Sequence, residues 1–146
     1  MESLKINTGI IRLQVDCDGA INEISFNPND IGFVENLYKI MGDLDKRKSE
    51  FEESEKELFS KDSLDENGLP INIGERVKLI KEICEYTRGK IDVLFGEGAS
   101  EKIFGTVNTI DMFEQFFDGI TPYIKNARSK KLAKYKRSAA TKNVMH

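Results

Sequence analysis

The chain has 146 residues, of which 39 % are apolar and 32 % charged, a length that supports one hydrophobic core but scarcely two. No apolar run approaches the roughly 18 residues needed to cross a bilayer, and the start, MESLKINTG, lacks the basic-then-apolar pattern of a secretory leader. The formal net charge of −3 hides a division: residues 119–146 hold eight of the 22 bases and no acid, which leaves 14 bases against all 25 acids in residues 1–118, a net −11.

In chain order, LKINTGIIRLQVDCDGAINEISF alternates, with Ile11, Leu13 and Val15 on one face and Arg12, Gln14 and Asp16 opposite. Period two around the turn-like DCDG predicts a β-hairpin, with Ile24 and Phe26 joining its buried face and room for a short first strand around Leu4 to Asn7. Pro28 ends the second arm, because it has no N–H for the ladder. NPND then supplies a turn and a helix cap at Asn29 or Asp30. The helix that follows carries Phe33, Val34, Leu37, Ile40, Met41 and Leu44 at helical spacing. Its continuation, DKRKSEFEESEKELF, thins to Phe51, Leu58 and Phe59 among charges, the pattern of a solvated helix or one awaiting a partner. SKDSLDENGLPINIG reads as a loop.

A second helix is expected from about Glu75 to Phe95, with Val77, Ile80, Ile83, Cys84, Ile91 and Leu94 inward. A third is expected from Ser100 towards Phe117, carrying Ile103, Val107, Ile110, Phe113 and Phe117, widened by Phe104 and Phe116. GITPYI should break or bend it, because Pro122 disfavours helix at Thr121. The sum is an α+β fold, mainly helical: a short N-terminal β-hairpin followed by three or four helices. Residues 1–124 make a single domain, and 125–146 a basic tail, helical or disordered.

The glycines of FGEGASEKIFG, residues 95–105, invite a nucleotide reading. A dinucleotide fingerprint needs a third glycine where Glu101 stands, and a strand before it; a P-loop needs Lys-Ser or Lys-Thr after it. Glu97 and Glu101 would repel phosphate. A joint accounts for every residue: Gly96 closes one helix in a left-handed conformation and Ser100 caps the next. The sole histidine is His146, so histidine-centred catalysis and histidine–metal chemistry have no centre. DSLDENG and DCDG both fail as calcium loops, with Gly74 and Ser25 where a bidentate glutamate is required. Cys17 and Cys84 lack CxxC spacing and read as free thiols. No cofactor, metal or catalytic residue is expected, and the protein reads as a non-enzyme.

Two stretches suggest contact surfaces. MFEQFFDGITPYI is either core or a docking face for a partner helix. Phe113, Phe116 and Phe117 cannot all point one way, which leaves one of them, together with Tyr123, for a partner. The tail KNARSKKLAKYKR can be a solvated helix end, a phosphate-binding arm or a clamp for acidic protein through Lys130, Lys131, Lys134 and Arg137. Only Tyr135 is interleaved there, too little for a base-stacking platform, so protein contact is favoured.

The hairpin start, ISFNPNDIGFVENLYKIMGDLDK, and helices ending in FEQFFDGITPYI before a basic tail resemble the tail assembly chaperones of long-tailed bacteriophages of Gram-positive hosts. The similarity runs from about Leu4 to Tyr135 and rests on arrangement, so no site residue transfers with it. It implies a protein of the host cytoplasm that binds the tape-measure protein and assists tail-tube subunits, with some self-association. It also implies a longer form by ribosomal slippage, for which Lys130-Lys131 is the best-placed codon run. The alternatives are a structural phage tail component, which needs a larger sheet, and a small nucleic-acid-binding protein using the tail. ATP and NAD are expected to show no binding by calorimetry; micromolar affinity for either, lost on Gly98→Val, would overturn the reading of the glycine run.

Overall fold

A computed structural model describes residues 1–60, 65–69 and 73–144, except for the side chains of residues 55, 57–60 and 131–144. Strands β1 (Ile11–Cys17) and β2 (Ala20–Phe26) form an antiparallel hairpin, followed by helices α1 (Ile31–Ser60), α2 (Ile73–Phe95), α3 (Ala99–Phe104) and α4 (Ile110–Val144). The fold is α+β and mainly helical, with an N-terminal hairpin and, among the described residues, four helices.

The hairpin turns on Asp18 and Gly19, both at positive φ (53° and 90°), the backbone that a two-residue turn between twisted strands requires. Asp16 accepts the Gly19 N–H at 2.8 Å and locks it. Cys17 pairs with Ala20 and Ile11 with Phe26, which puts Leu13 opposite Ile24. Ile24 and Phe26 are buried, and Ile11, Leu13 and Val15 pack against the core beside them. The expected strand at Leu4 to Asn7 does not form: the ladder begins at Ile11, and residues 1–10 are exposed. Among the described residues the sheet has two strands, so the alternation of Leu4 and Ile6 has no neighbouring strand to satisfy it.

Asp30 caps α1, accepting from the Gly32 N–H at 3.0 Å. Val34, Leu37, Ile40 and Leu44 are buried as the spacing predicts, and the charged second half continues the same helix to Ser60. α2 buries Ile83, Cys84, Thr87 and Ile91. Val77, expected inward, is exposed: it lies in the first turns, before α2 reaches the core. The described part of the expected loop, residues 65–69, is a turn in which Asp65 accepts from the N–H groups of Asn67 and Leu69; the rest of that loop lies outside the described residues.

The single helix expected from Ser100 to Phe117 is two. Gly105 ends α3 with φ 62° and ψ −136°, a region open essentially to glycine alone, and Thr109 starts α4 by accepting from the Met112 N–H at 3.2 Å. Val107 falls in the connection and is exposed. Nor does Ser100 cap α3. It is the helix's second residue, buried, and its N–H donates 2.7 Å to the Asp92 carboxylate of α2. The glycine run is a joint between helices, with Gly96 at φ 111° and Gly98 at φ 79°.

Pro122 does not end the last helix either; α4 runs through it. Interior proline costs about 3 kcal/mol, for the missing hydrogen bond and the ring's clash with the preceding turn. Full burial of an isoleucine returns roughly 1.5–3 kcal/mol, and both Ile120 and Ile124, on either side of Pro122, are buried. Packing outweighs propensity. The boundary expected after residue 124 therefore lies within a helix.

Ile124 is fully buried and the Tyr123 ring meets Phe26 edge-on at 6.2 Å, so truncation after Pro122 should destabilise the body, not spare it. Truncation after Arg128 keeps both contacts and should leave the melting temperature nearly unchanged. Thermal denaturation of the two truncations distinguishes them.

Candidate functional site

The three candidate docking rings all belong to the core. Phe113 is 0 % exposed, Phe116 9 % and Phe117 2 %, which corrects the expectation that one would be left for a partner. The geometric premise holds, since the rings do diverge around α4. What changes is that the helix is surrounded. Phe113 and Phe116 meet Phe104 of α3 at 5.2 and 5.4 Å, Phe116 also meets Phe95 of α2 at 5.4 Å, and Phe117 belongs to the same core cluster as Leu44 of α1, against which Met41 packs. Tyr123 is 37 % exposed, with its ring edge on Phe26. Lys130 is exposed; the side chains of Lys131, Lys134 and Arg137 lie outside the description.

A concave surface lies elsewhere among the described residues, between the end of β1 and the start of α4. A groove of about 410 Å³ is lined by Val15, Cys17, Phe104, Val107, Met112 and Phe116, with Asp16, Asp18, Thr109 and Gln115 as its polar members. Each wall has a cause. The tight turn at Asp18-Gly19 holds the hairpin end in place, and Thr109 fixes where α4 begins. The connection between α3 and α4 is pinned by Arg88 of α2. Its Nε donates to the Asn108 side chain at 2.7 Å and its Nη2 to the Val107 carbonyl. The guanidinium lies 5.9 Å from both the Phe104 and Phe113 rings, within reach of a cation–π contact. An arginine on one helix thus holds an apolar residue of a loop open to solvent.

Sequence reasoning placed Phe104 and Val107 on a helix stripe and missed the groove. The signal available was Gly105 followed by β-branched Thr106 and Val107, a poor helix interior.

A second polar cluster joins α1 to α2. The Tyr86 hydroxyl donates to Asp43 at 2.8 Å while Arg47 stacks on the ring at 3.9 Å; the bond to Asp43 raises the tyrosine pKa above its ordinary value. Lys48 joins α1 to α4 through Glu114 at 2.9 Å, and that hydrogen bond raises the lysine pKa. Both clusters tie helices together at partly exposed positions.

Residues 21–146 match a protein family described as a family of unknown function, DUF6673. The chain belongs to that family. Its matched span covers β2 from Ile21 onward, the four helices described above and six of the ten residues lining the groove, and it begins after β1. No curated protein and no solved structure matches the chain. Among the described residues no group of His, Cys, Asp and Glu side chains could hold a metal ion, and no helix is long and apolar enough to cross a membrane.

The two thiols are free and differently placed, Cys17 half-buried at the groove and Cys84 buried in α2. Burial pushes the Cys84 thiol up, so less of it is thiolate at a given pH, and the thiolate is the reactive form. Its folded-state pKa lies above its unfolded value, so its contribution to stability is complete below the unfolded pKa and is lost as pH rises through the folded one. A thiol reagent at neutral pH should therefore modify Cys17 first and Cys84 only at the rate of unfolding. Equal labelling rates, followed by mass spectrometry, would contradict the burial.

Proposed function

We propose that this protein is a non-catalytic holder of a long helical partner, a tail assembly chaperone that keeps a phage tape-measure protein soluble in the host cytoplasm while tail-tube subunits assemble around it. The observation that carries the reading is the groove: an apolar cleft with Val107 53 % exposed, bordered by Asp16 and Asp18, on a scaffold braced by Arg88. Such a cleft takes the apolar stripe of an amphipathic helix, and the carboxylates at its rim set the helix's orientation. Exposed apolar surface is uncommon on a monomer unless it binds something.

The resemblance across Leu4 to Tyr135 supports the same reading. So does the small sheet, two strands among the described residues, since a tube subunit needs a larger one to build a continuous wall. The partner's contact falls on the groove and not on Phe113 and Phe117; Phe116 is the one of the three that also lines the groove, and truncation of any of them to alanine would cost roughly 3–5 kcal/mol as core.

Light scattering of an aggregation-prone, amphipathic tape-measure segment tests the proposal. The wild-type protein should suppress aggregation. Val107→Asp should abolish suppression while leaving the melting temperature within a few degrees, because the side chain is exposed. Failure of the wild type to suppress, or full activity of Val107→Asp, would remove the groove from the mechanism.

A further inference from the structure

The register of the hairpin fixes which backbone groups face its outer edges. A two-residue turn is flanked by a hydrogen-bonded pair, here Cys17 and Ala20, and bonded and non-bonded pairs alternate from there. Asn22, Ile24 and Phe26 therefore bond back to Val15, Leu13 and Ile11, whereas Ile21, Glu23 and Ser25 turn both N–H and C=O away from β1. Lys102 of α3 marks that outward direction, its Nζ approaching the Glu23 carbonyl at 3.4 Å. The distance exceeds the roughly 2.7–3.2 Å of a good N–H···O bond, and Lys102 is exposed, so a better donor displaces the ammonium.

These outward groups border a cleft. A space of about 310 Å³ separates Glu23 and Ser25 from the joint between α2 and α3, with Phe95 and Ile103 on its apolar side and Glu97 and Lys102 on its polar side. The groove takes its hairpin residues from β1 and the turn, the cleft takes its own from β2, and no residue lines both. Natural edge strands are commonly blunted by a proline, a bulge or a covering element. β2 contains no proline, and its seven positions pair with β1 in unbroken register. Glu23 and Ser25 are exposed.

An occupant must match donors and acceptors that recur about every 7 Å, two residues at about 3.4 Å each. An extended backbone does so. A helix does not, because it uses its N–H and C=O groups internally except at its ends. Charge narrows the choice further: Glu23 and Glu97 stand against Lys102 at the cleft, which repels phosphate and draws a lysine or arginine side chain to the carboxylates. We infer that the outer edge of β2 is a strand-docking site, where an extended, basic segment of a partner protein adds to the hairpin as a third strand. The incoming N–H replaces Lys102 at the Glu23 carbonyl, and the Ser25 N–H donates to the partner's backbone. The site rests on the sheet register and not on the tape-measure reading, whose helix sits in the groove.

Amide hydrogen exchange of the full chain, read by NMR, tests the inference in two steps. In the free protein Glu23 and Ser25 should exchange much faster than Asn22, Ile24 and Phe26. Protection of those two amides, whether constant or rising with protein concentration, would show the edge already covered by the chain's own N-terminal residues or by a second copy, and would overturn the inference. The probe for the second step is the peptide Lys-Val-Thr-Val-Thr-Val-Lys, N-methylated at alternate residues so that it keeps one pairing edge and cannot aggregate. It should slow exchange at Glu23 and Ser25, and the same peptide with glutamate at both ends should bind more weakly. Ser25→Pro removes an outward N–H at an edge position where proline is tolerated, so it should abolish binding with the melting temperature nearly unchanged. Should that variant fail to fold, the fully N-methylated peptide decides, because it has no N–H left to pair and should not bind. Binding that survives Ser25→Pro or full methylation would overturn the inference, as would no binding at all. Resonance shifts confined to Val15, Val107 and Met112 would assign the peptide to the groove and overturn it too.

Discussion

Phe26 is the residue through which the sheet and the helices become one body. Its ring stacks on Phe33 of α1 at 5.6 Å and meets Phe95 of α2 and Tyr123 of α4 edge-on, each at 6.2 Å. A two-stranded hairpin is marginal in water and survives only when one face is packed. Here that face ends in a single aromatic side chain touching three helices. From it the contacts continue: Phe95 reaches Phe116 at 5.4 Å, Phe116 reaches Phe104 at 5.4 Å, and Phe104 reaches Phe113 at 5.2 Å. Aromatic pairs at such centroid distances add about 0.5–1.5 kcal/mol each beyond the area they bury. The chain of rings explains why α4 can carry Pro122 without breaking, and why a helix as short as α3 persists.

Around this centre, polar side chains act as joints between elements rather than as chemistry. Asp92 substitutes for a local cap on α3, Thr109 caps α4, Asp30 caps α1, and Arg88 fixes the loop between α3 and α4. Thr87 and Thr121 return their hydroxyls to the carbonyls four residues back, at 2.8 Å each, so the buried hydroxyl of Thr87 is satisfied. The groove is a by-product of these joints. Had α3 run on into α4, Val107 would have been drawn into the stripe, and no loop would stand beside the hairpin end.

Elements governed by local signals were legible in the sequence. The hairpin, its Asp-Gly turn, the Asp30 cap and the apolar stripe of α1 each depend on residues within a few positions of one another, and each formed as the spacing implied. What was not legible depended on partners far along the chain. Ser100 looked like a cap because nothing nearby showed that Asp92 would reach it. Pro122 looked like a stop because the burial of Ile120 and Ile124 is a tertiary fact. The same holds for Phe113, Phe116 and Phe117: diverging rings imply an exposed one only if the helix has a single packed side, and α4 is met by α1, α2 and α3. The groove was invisible for the complementary reason, because its walls come from β1, α3, α4 and the loop that Arg88 holds.

The placement of charge follows from where that core sits. The aromatic contacts and the buried isoleucines lie between about Ile24 and Leu44, Ile83 and Phe104, and Phe113 and Ile124. Those limits leave out the last quarter of α1 and the last half of α4, and it is there that the sequence carries like charges in series. A run of like charges destabilises an isolated helix by a few tenths of a kcal/mol per pair at i, i+4, a cost that a core this interconnected can absorb. A net charge of −3 gives little long-range repulsion between copies. The separation of that charge into opposite poles gives instead a strong orientation dependence: two copies approaching acid to acid repel, and two approaching acid to base attract.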